Sequence, residues 1–390
     1  MMQVKDISLS AVVAGFVAVL VGFASSVAIV LQAAAAAGAT QDIMASWLLA
    51  LGIGMAATCV GLSWYYKAPI ITAWSTPGAA LLATSLQGLT INEAVGVFIF
   101  TATLGVIIGI SGWFEKLTRL IPLPLASAML AGILLQFGLS IFTSLQSQLL
   151  LVGSMCISYL LAKRLMPRYA ILWVLLTGLL CVLLQDQFNY SAVTLSFTTP
   201  VWVTPHWSLS ALLGVGLPLL LVTMASQNIP GVAVIRTSGY QTPVSPLITS
   251  TALSTLLLAP WGAFSINLAA ITAAICTGAE AHPDKDKRYI AGIAAGVFYL
   301  LAGLAGATVV ALFAAFPKEM IAALAGLALL GTIGANLAVA CGEGEHREAA
   351  VVTLLVTASG VSFFGVAAAF WGIVAGSLTL LTVNGLRRGR

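Results

Sequence analysis

The sequence predicts an all-α polytopic membrane protein with fourteen transmembrane segments in two inverted seven-span repeats, and three observations carry that prediction. Hydrophobic residues fill 60% of the 390 positions and charged residues only 7%, whereas water-soluble domains carry about 25% charged residues. A surface that faces water cannot be assembled from this composition. Apolar runs such as Ala11–Leu31, Ala94–Trp113 and Ala291–Phe313 have the length of a bilayer-crossing helix. They far exceed the roughly 10-residue alternating strand of a membrane barrel. Finally, a short element recurs once in each half. "ITAWSTPGAALLAT", starting at Ile71, aligns without a gap on "WGAFSINLAAITAA", starting at Trp261. Ala73 falls on Ala263, Trp74 on Phe264 and Ser75 on Ser265.

The expected spans are 11–35, 45–63, 69–87, 93–113, 122–142, 149–162, 169–185, 208–227, 246–259, 261–278, 289–313, 318–340, 348–364 and 367–385. The first run flows into an Ala-rich stretch without a cleavage site, so it is expected as a span and not as a removable signal. With the N-terminus in the cytoplasm, the cytoplasmic loops receive Lys5, Lys67, Lys116, Arg119, Lys163, Arg164, Arg168, Arg236, Lys285, Lys287, Arg288, Arg347, Arg387, Arg388 and Arg390. Only Lys318 falls outside, the asymmetry that the positive-inside rule requires. An even span count then puts both termini in the cytoplasm. Acidic and histidine residues fall at segment ends or in loops, so no ionisable group is expected at the bilayer midplane. The five cysteines are scattered without metal-ligand spacing and read as small buried apolar residues.

Seven spans per half is an odd number, so the second half is upside down relative to the first, a common plan of secondary transporters. Two further echoes fit this frame: "PLPLASAMLAGILL" from Pro122 against "PKEMIAALAGLALL" from Pro317, and Phe23–Ser26 against Met224–Gln227. Within span 3, Ala68–Trp74 is rich in β-branched and aromatic residues and reads as extended. Ser75 and Thr76 are good helix caps, Pro77 is favoured at the first helical position, and helix formers follow. Span 10 is expected to do the same, with Trp261–Ser265 extended and Asn267 as the cap. Each element is then a short strand plus a half-helix, and the two half-helix starts oppose one another at mid-membrane. Such starts carry about +0.5 of an elementary charge and unpaired N–H groups, so a pair of them makes an anion-sized site without Lys or Arg.

The residues around those starts are Trp74, Ser75, Thr76, Gly78, Phe264, Ser265, Ile266 and Asn267, joined by Gln227 and Asn228 of span 8 and by Ser25 and Ser26 of span 1. This uncharged set of aromatic faces, hydroxyls and amides suits a small, flat, partly apolar substrate with one polar or anionic end. Small residues also crowd interhelical interfaces, so each serine taken singly reads first as a packing residue, while for Gln227 and Asn228 packing and binding weigh equally.

The stretches "ASQNIPGVAVIR" (225–236), "WSTPGAALL" and "FSINLAAITAAICTG" resemble the BenE-type benzoate:proton symporter family, and the resemblance covers essentially the whole chain. That family is similar to nucleobase and anion transporters with a seven-plus-seven inverted repeat. The resemblance implies a secondary active transporter that is not an enzyme and takes up benzoate or a similar aromatic carboxylate with protons. It implies a core domain (1–113 and 208–315) that moves against a gate domain (114–207 and 316–390) in the bacterial inner membrane. The expected partners are the aromatic carboxylate, protons and the lipid bilayer, with a homodimer as one assembly option. Neither nucleic acid nor any cofactor or metal is expected. Related nucleobase transporters place an acidic residue in span 8 and often in span 10, where this chain has Gln227 and Phe264 or Ser265. That departure fits an anionic substrate and leaves the proton either on the substrate itself or on Glu280, just past span 10. The competing readings are a nucleobase or other small-anion permease of the same fold, and a passive channel.

Overall fold

The computed structural model describes residues 8–114, 122–193, 195–342 and 344–388. Of the charged residues assigned to loops and segment ends, Lys5, Asp6, Glu115, Lys116, Arg119, Glu343 and Arg390 lie outside the described residues. The first half forms α1 (Leu9–Ala36), α2 (Gln41–Tyr66), β1 (Thr72–Trp74), α3 (Thr76–Ser85), α4 (Ile91–Ser111), α5 (Leu123–Ser147), α6 (Leu149–Leu165) and α7 (Ala170–Leu184). The second forms α8 (Leu209–Thr237), α9 (Val244–Leu258), β2 (Ile266–Leu268), α10 (Ile271–Thr277), α11 (Tyr289–Leu304), α12 (Gly306–Ala314), α13 (Lys318–Ala340), α14 (Arg347–Ala358) and α15 (Ala368–Arg388). Among the described residues, eight helices are long and apolar enough to cross a bilayer. Helices dominate because a helix satisfies its own backbone groups where lipid offers no hydrogen-bond partner.

Local chemistry sets several helix ends. Thr90 and Glu93 form a reciprocal capping box at the start of α4. Pro122 and Pro317, the leading residues of one sequence echo, each stand just before a helix, and the helices they introduce, α5 and α13, pack against each other. Helix α2 packs along α11, α1 lies against α11 and α3, α4 against α9, and α5 against α13 and α14. The α2–α11 seam depends on glycine: a Cβ on Gly52 would stand 2.8 Å from the Tyr299 carbonyl oxygen and 2.9 Å from Cα of Gly303. Close backbone approach of this kind favours helix association in lipid.

The two strands form an antiparallel ladder, Thr72 opposite Leu268, Ala73 opposite Asn267 and Trp74 opposite Ile266. Backbone bonds from Ser75 N–H to Ser265 O and from Ala269 N–H to Ile71 O, both 2.9 Å, extend it at each end. Helix α3 leaves from the Trp74 end and α10 from the Leu268 end, so their starts lie at opposite ends of one short ladder.

The second element begins later than its sequence suggests. A tight turn at Ala259–Trp261, closed by Gly262 at φ +104°, occupies the start of the stretch expected to be extended. Only glycine suits that conformation, and a Cβ there would also collide with Trp47. Asn267 therefore lies mid-strand, and Ala270 takes the cap position that the sequence reading gave to Asn267. The counterpart of β1 in the second half is Ile266–Leu268, and the residues around Gly262 serve as the turn that leads into it.

Helix α8 contains two π-helical turns, Leu212–Gly216 and Met224–Asn228, each followed two residues on by a proline, Pro218 and Pro230. A proline cannot donate to the carbonyl four residues back, and the wider turn accommodates the missing bond.

Candidate functional site

The ladder and its two helix starts border a cavity of about 330 Å³. Helix α1 contributes Gly22, Ser25 and Ser26; the β1–α3 junction contributes Trp74, Thr76 and Pro77; the second π-turn of α8 contributes Ser226 and Gln227. The start of α10 brings Ala270, Ile271 and Thr272, and α11 brings Tyr299. Ser127 of α5 and Leu329, Thr332 and Asn336 of α13 close the opposite wall. Among the described residues no Asp, Glu, Lys, Arg or His lines this space.

Trp74 is held by a chain of hydrogen bonds. Its indole N–H donates to Ser26 Oγ at 2.8 Å, and Ser26 Oγ donates to the Gly22 carbonyl at 2.7 Å. Ser25 Oγ donates to the same carbonyl at 3.0 Å. Phe23 packs on the indole with ring centroids 5.0 Å apart. Both seryl protons are thus spent within the protein. Gln227 and Thr76, by contrast, line the cavity without a side-chain hydrogen bond to the described residues.

Other expected site residues are placed elsewhere. Ser75 is buried and caps α3 by accepting the Gly78 N–H at 2.9 Å. Gly78 itself packs against Ser75 and Leu219. Phe264 is buried in an aromatic cluster, its ring 6.0 Å from those of Trp47 and Phe98. Asn228 accepts the Leu268 N–H at 3.2 Å and so ties the π-turn to β2. Asn267 donates to Ser265 O and Oγ, Ser265 shares a 2.9 Å hydroxyl bond with Thr223, and Ile266 N–H donates to Thr255. Asn228, Phe264, Ser265, Ile266 and Asn267 border a separate void of about 20 Å³, room for about one water. Glu280 is exposed beyond the C-terminal end of α10, where Arg288 donates to the Thr277 carbonyl at 2.7 Å.

The structure therefore gathers Ser25, Ser26, Trp74, Thr76 and Gln227 around one space and turns the remaining residues to capping, ladder and core contacts. It adds Thr272, Tyr299, Ser127, Thr332 and Asn336, which the sequence reading did not single out. Asn336 carried a usable signal, since a lone amide within an apolar span is costly in lipid. Tyr299 carried a weaker one, in that its polar tip requires a partner when buried.

Comparison with known proteins extends this picture. Residues 5–382 match the family described as benzoate membrane transport protein, BenE. The chain is 50% identical to the inner membrane protein YdcO of Escherichia coli K12 over 383 residues, 98% of each chain. It is 44% identical over 374 residues to the benzoate membrane transport protein of Acinetobacter baylyi, covering 96% of this chain and 95% of that one. Among solved structures, SLC26A9 shares the fold at a TM-score of 0.64 and 12% identity, over 99% of this chain and 66% of the other. This chain thus spans just under two thirds of the SLC26A9 chain. The transmembrane domain of the cyanobacterial bicarbonate transporter BicA gives a TM-score of 0.60 at 14% identity, over 98% of both chains. With its family match running through nearly the whole sequence and two relatives aligned end to end, this chain belongs to the benzoate membrane transport protein family.

Proposed function

We propose that this protein is a secondary active transporter that takes up benzoate or a similar aromatic carboxylate together with protons across the bacterial inner membrane. The observation that carries the reading is the uncharged cavity beside the strand ladder, walled by Trp74 and provided with free donors at Gln227 and Thr76. The indole offers a flat apolar face, and aromatic pairing contributes about 0.5–1.5 kcal/mol beyond area burial. A carboxylate leaving water loses several kcal/mol of solvation. The helix starts return typically about 0.3–1 kcal/mol each, and α10, with seven residues, belongs at the low end. Hydrogen bonds to a charged group contribute about 1.5–3 kcal/mol, so side-chain donors carry more of the load than the helix dipoles. A proton travelling on the substrate would remove most of the desolvation cost. Carboxylic acids titrate near 4 in water, roughly 3.9–4.3 for Asp and Glu, and burial raises that value.

The transport cycle in this reading is a movement of core (1–113 and 208–315) against gate (114–207 and 316–390), with fourteen spans in inverted halves and both termini cytoplasmic. The charge asymmetry supports the orientation. A second cavity of about 360 Å³, lined by Thr84, Ser85 and Gln87 at the end of α3 and by Gln136 of α5, supports the movement. Thr76 and Pro77 at the start of the same helix line the first cavity. One short helix thus has a cavity at each end.

The test is labelled benzoate uptake by purified protein in proteoliposomes under an imposed pH gradient. Accumulation that depends on the gradient, and competition by salicylate but not by uracil, xanthine or sulfate, is the expected result. Competition by uracil or sulfate would turn the assignment toward a nucleobase or inorganic-anion permease. Equilibration without accumulation would make the protein a passive channel.

A further inference from the structure

Because both seryl protons at Gly22 are committed, the polar floor of the cavity must be sought elsewhere, and two hydroxyls stand there. Tyr299 lines the cavity from α11 and is only 2% exposed. Thr272, the second residue of α10, also lines it and is 6% exposed. Both crowd the same face of α1. A Cβ on Gly22 would stand 3.4 Å from the Tyr299 hydroxyl and 3.2 Å from Thr272 Cγ2. Thr272 and the Tyr299 hydroxyl thus meet over the same point of α1, and Thr272 Oγ1 is buried without a hydrogen-bond partner among the described residues. A buried hydroxyl without a partner is destabilising, and in a native site it marks a place where something else supplies the acceptor.

We infer that Tyr299 and Thr272 form a hydroxyl pair that receives the substrate carboxylate, while Ser25 and Ser26 only position Trp74. This assignment rests on the benzoate reading of the cavity and specifies which of its groups read the anionic end. Each hydroxyl has one proton to give, and a carboxylate has lone pairs enough to accept both. Gly22 is the joint of the arrangement: its carbonyl holds the serines that fix Trp74, and its missing side chain leaves room for the Tyr299 hydroxyl and the Thr272 methyl.

The test compares two ligands of the same outline. Nitrobenzene has the flat shape of benzoate but is uncharged and a poor hydrogen-bond acceptor. In proteoliposomes, Tyr299→Phe and Thr272→Val should each raise the KM for benzoate by roughly tenfold, the equivalent of one charged hydrogen bond. Inhibition by nitrobenzene should stay close to wild type. Ser26→Ala should weaken both ligands together, because it frees Trp74. Thr272→Val, which keeps the side-chain volume, carries the comparison if Tyr299→Phe does not fold. Benzoate kinetics unchanged in both variants would overturn the assignment, and so would equal weakening of benzoate and nitrobenzene. A wild-type protein that does not transport benzoate would instead remove the benzoate reading itself, an outcome distinct from wild-type transport that ignores Tyr299.

Discussion

The β1–α3 and β2–α10 units are built to one plan and finished differently. In the first, Ser75 caps the helix, Pro77 sits in the first turn, and α3 runs for ten residues. In the second, Ala270 holds the cap position without a side chain that can bond the backbone, and α10 runs for seven residues. The aromatic residues diverge as well. Trp74 stands at the cavity wall, whereas Phe264 is sealed into a cluster with Trp47 and Phe98. Both helix starts border the cavity, but only that of α3 is capped by a side chain of its own chain.

The most severe loss should come from charging the uncapped unit. Ala270→Asp would place a carboxylate at the start of α10, beside the cavity. It would put a negative charge where an anion is to bind. Uptake should be lost, and the desolvated carboxylate should also lower the melting temperature. Gln227→Glu adds like charge from α8 and should likewise abolish benzoate uptake at neutral pH. Normal transport by either variant would show that the carboxylate binds elsewhere.

Next in size is the exchange of roles between the two aromatics. Trp74→Ala should raise the KM for benzoate several-fold and leave the fold nearly intact. Phe264→Ala should cost about 3–5 kcal/mol of stability through the void it leaves, with KM little changed in whatever protein remains folded. A raised KM in a stable Phe264→Ala protein would contradict the placement of Phe264 in the core and restore the symmetric picture of two rings flanking the substrate.

A more modest change probes the capped unit. Ser75→Ala removes the acceptor for the Gly78 N–H in a fully buried setting. An orphaned buried donor costs about 1–3 kcal/mol, so the protein should melt earlier and yet transport with near-normal affinity. Lost affinity at unchanged melting temperature would make Ser75 a substrate contact.

Legibility in the sequence divides along the same line. Ser-Thr-Pro after a β-branched run is local chemistry, and it marked the start of α3 to within a residue. The second unit has no such signal. An Ala-rich stretch aligns almost equally well at several offsets, and the gapless match placed Phe264 level with Trp74. Strand position contradicts that match, since Trp74 ends β1 and the residue that ends β2 is Leu268, not Phe264. The turn at Gly262 that causes the delay depends on Trp47, which is far away in sequence and close in space. Tyr299 and Asn336 showed only that a polar group stood in an apolar span, and it is the meeting of α11 and α13 with the ladder that brings them to the cavity.

The mildest of these outcomes concerns the proton. Glu280 is exposed past the C-terminal end of α10, and the cavity is bordered by the other end of that helix. The C-terminal end already has a cation, Arg288, on its Thr277 carbonyl, which complements the negative end of the helix. A group so placed has no direct path to a substrate beside Trp74. Glu280→Gln should therefore accumulate benzoate with the wild-type dependence on the imposed pH gradient. Uptake should also fall as external pH rises, because the protonated substrate becomes scarcer above the carboxylic acid range. If Glu280→Gln instead stops accumulation while benzoate exchange between the two sides survives, the proton travels on the protein. In that case the uncapped second unit binds the substrate without carrying its proton, and Glu280 couples the two movements from the far end of α10.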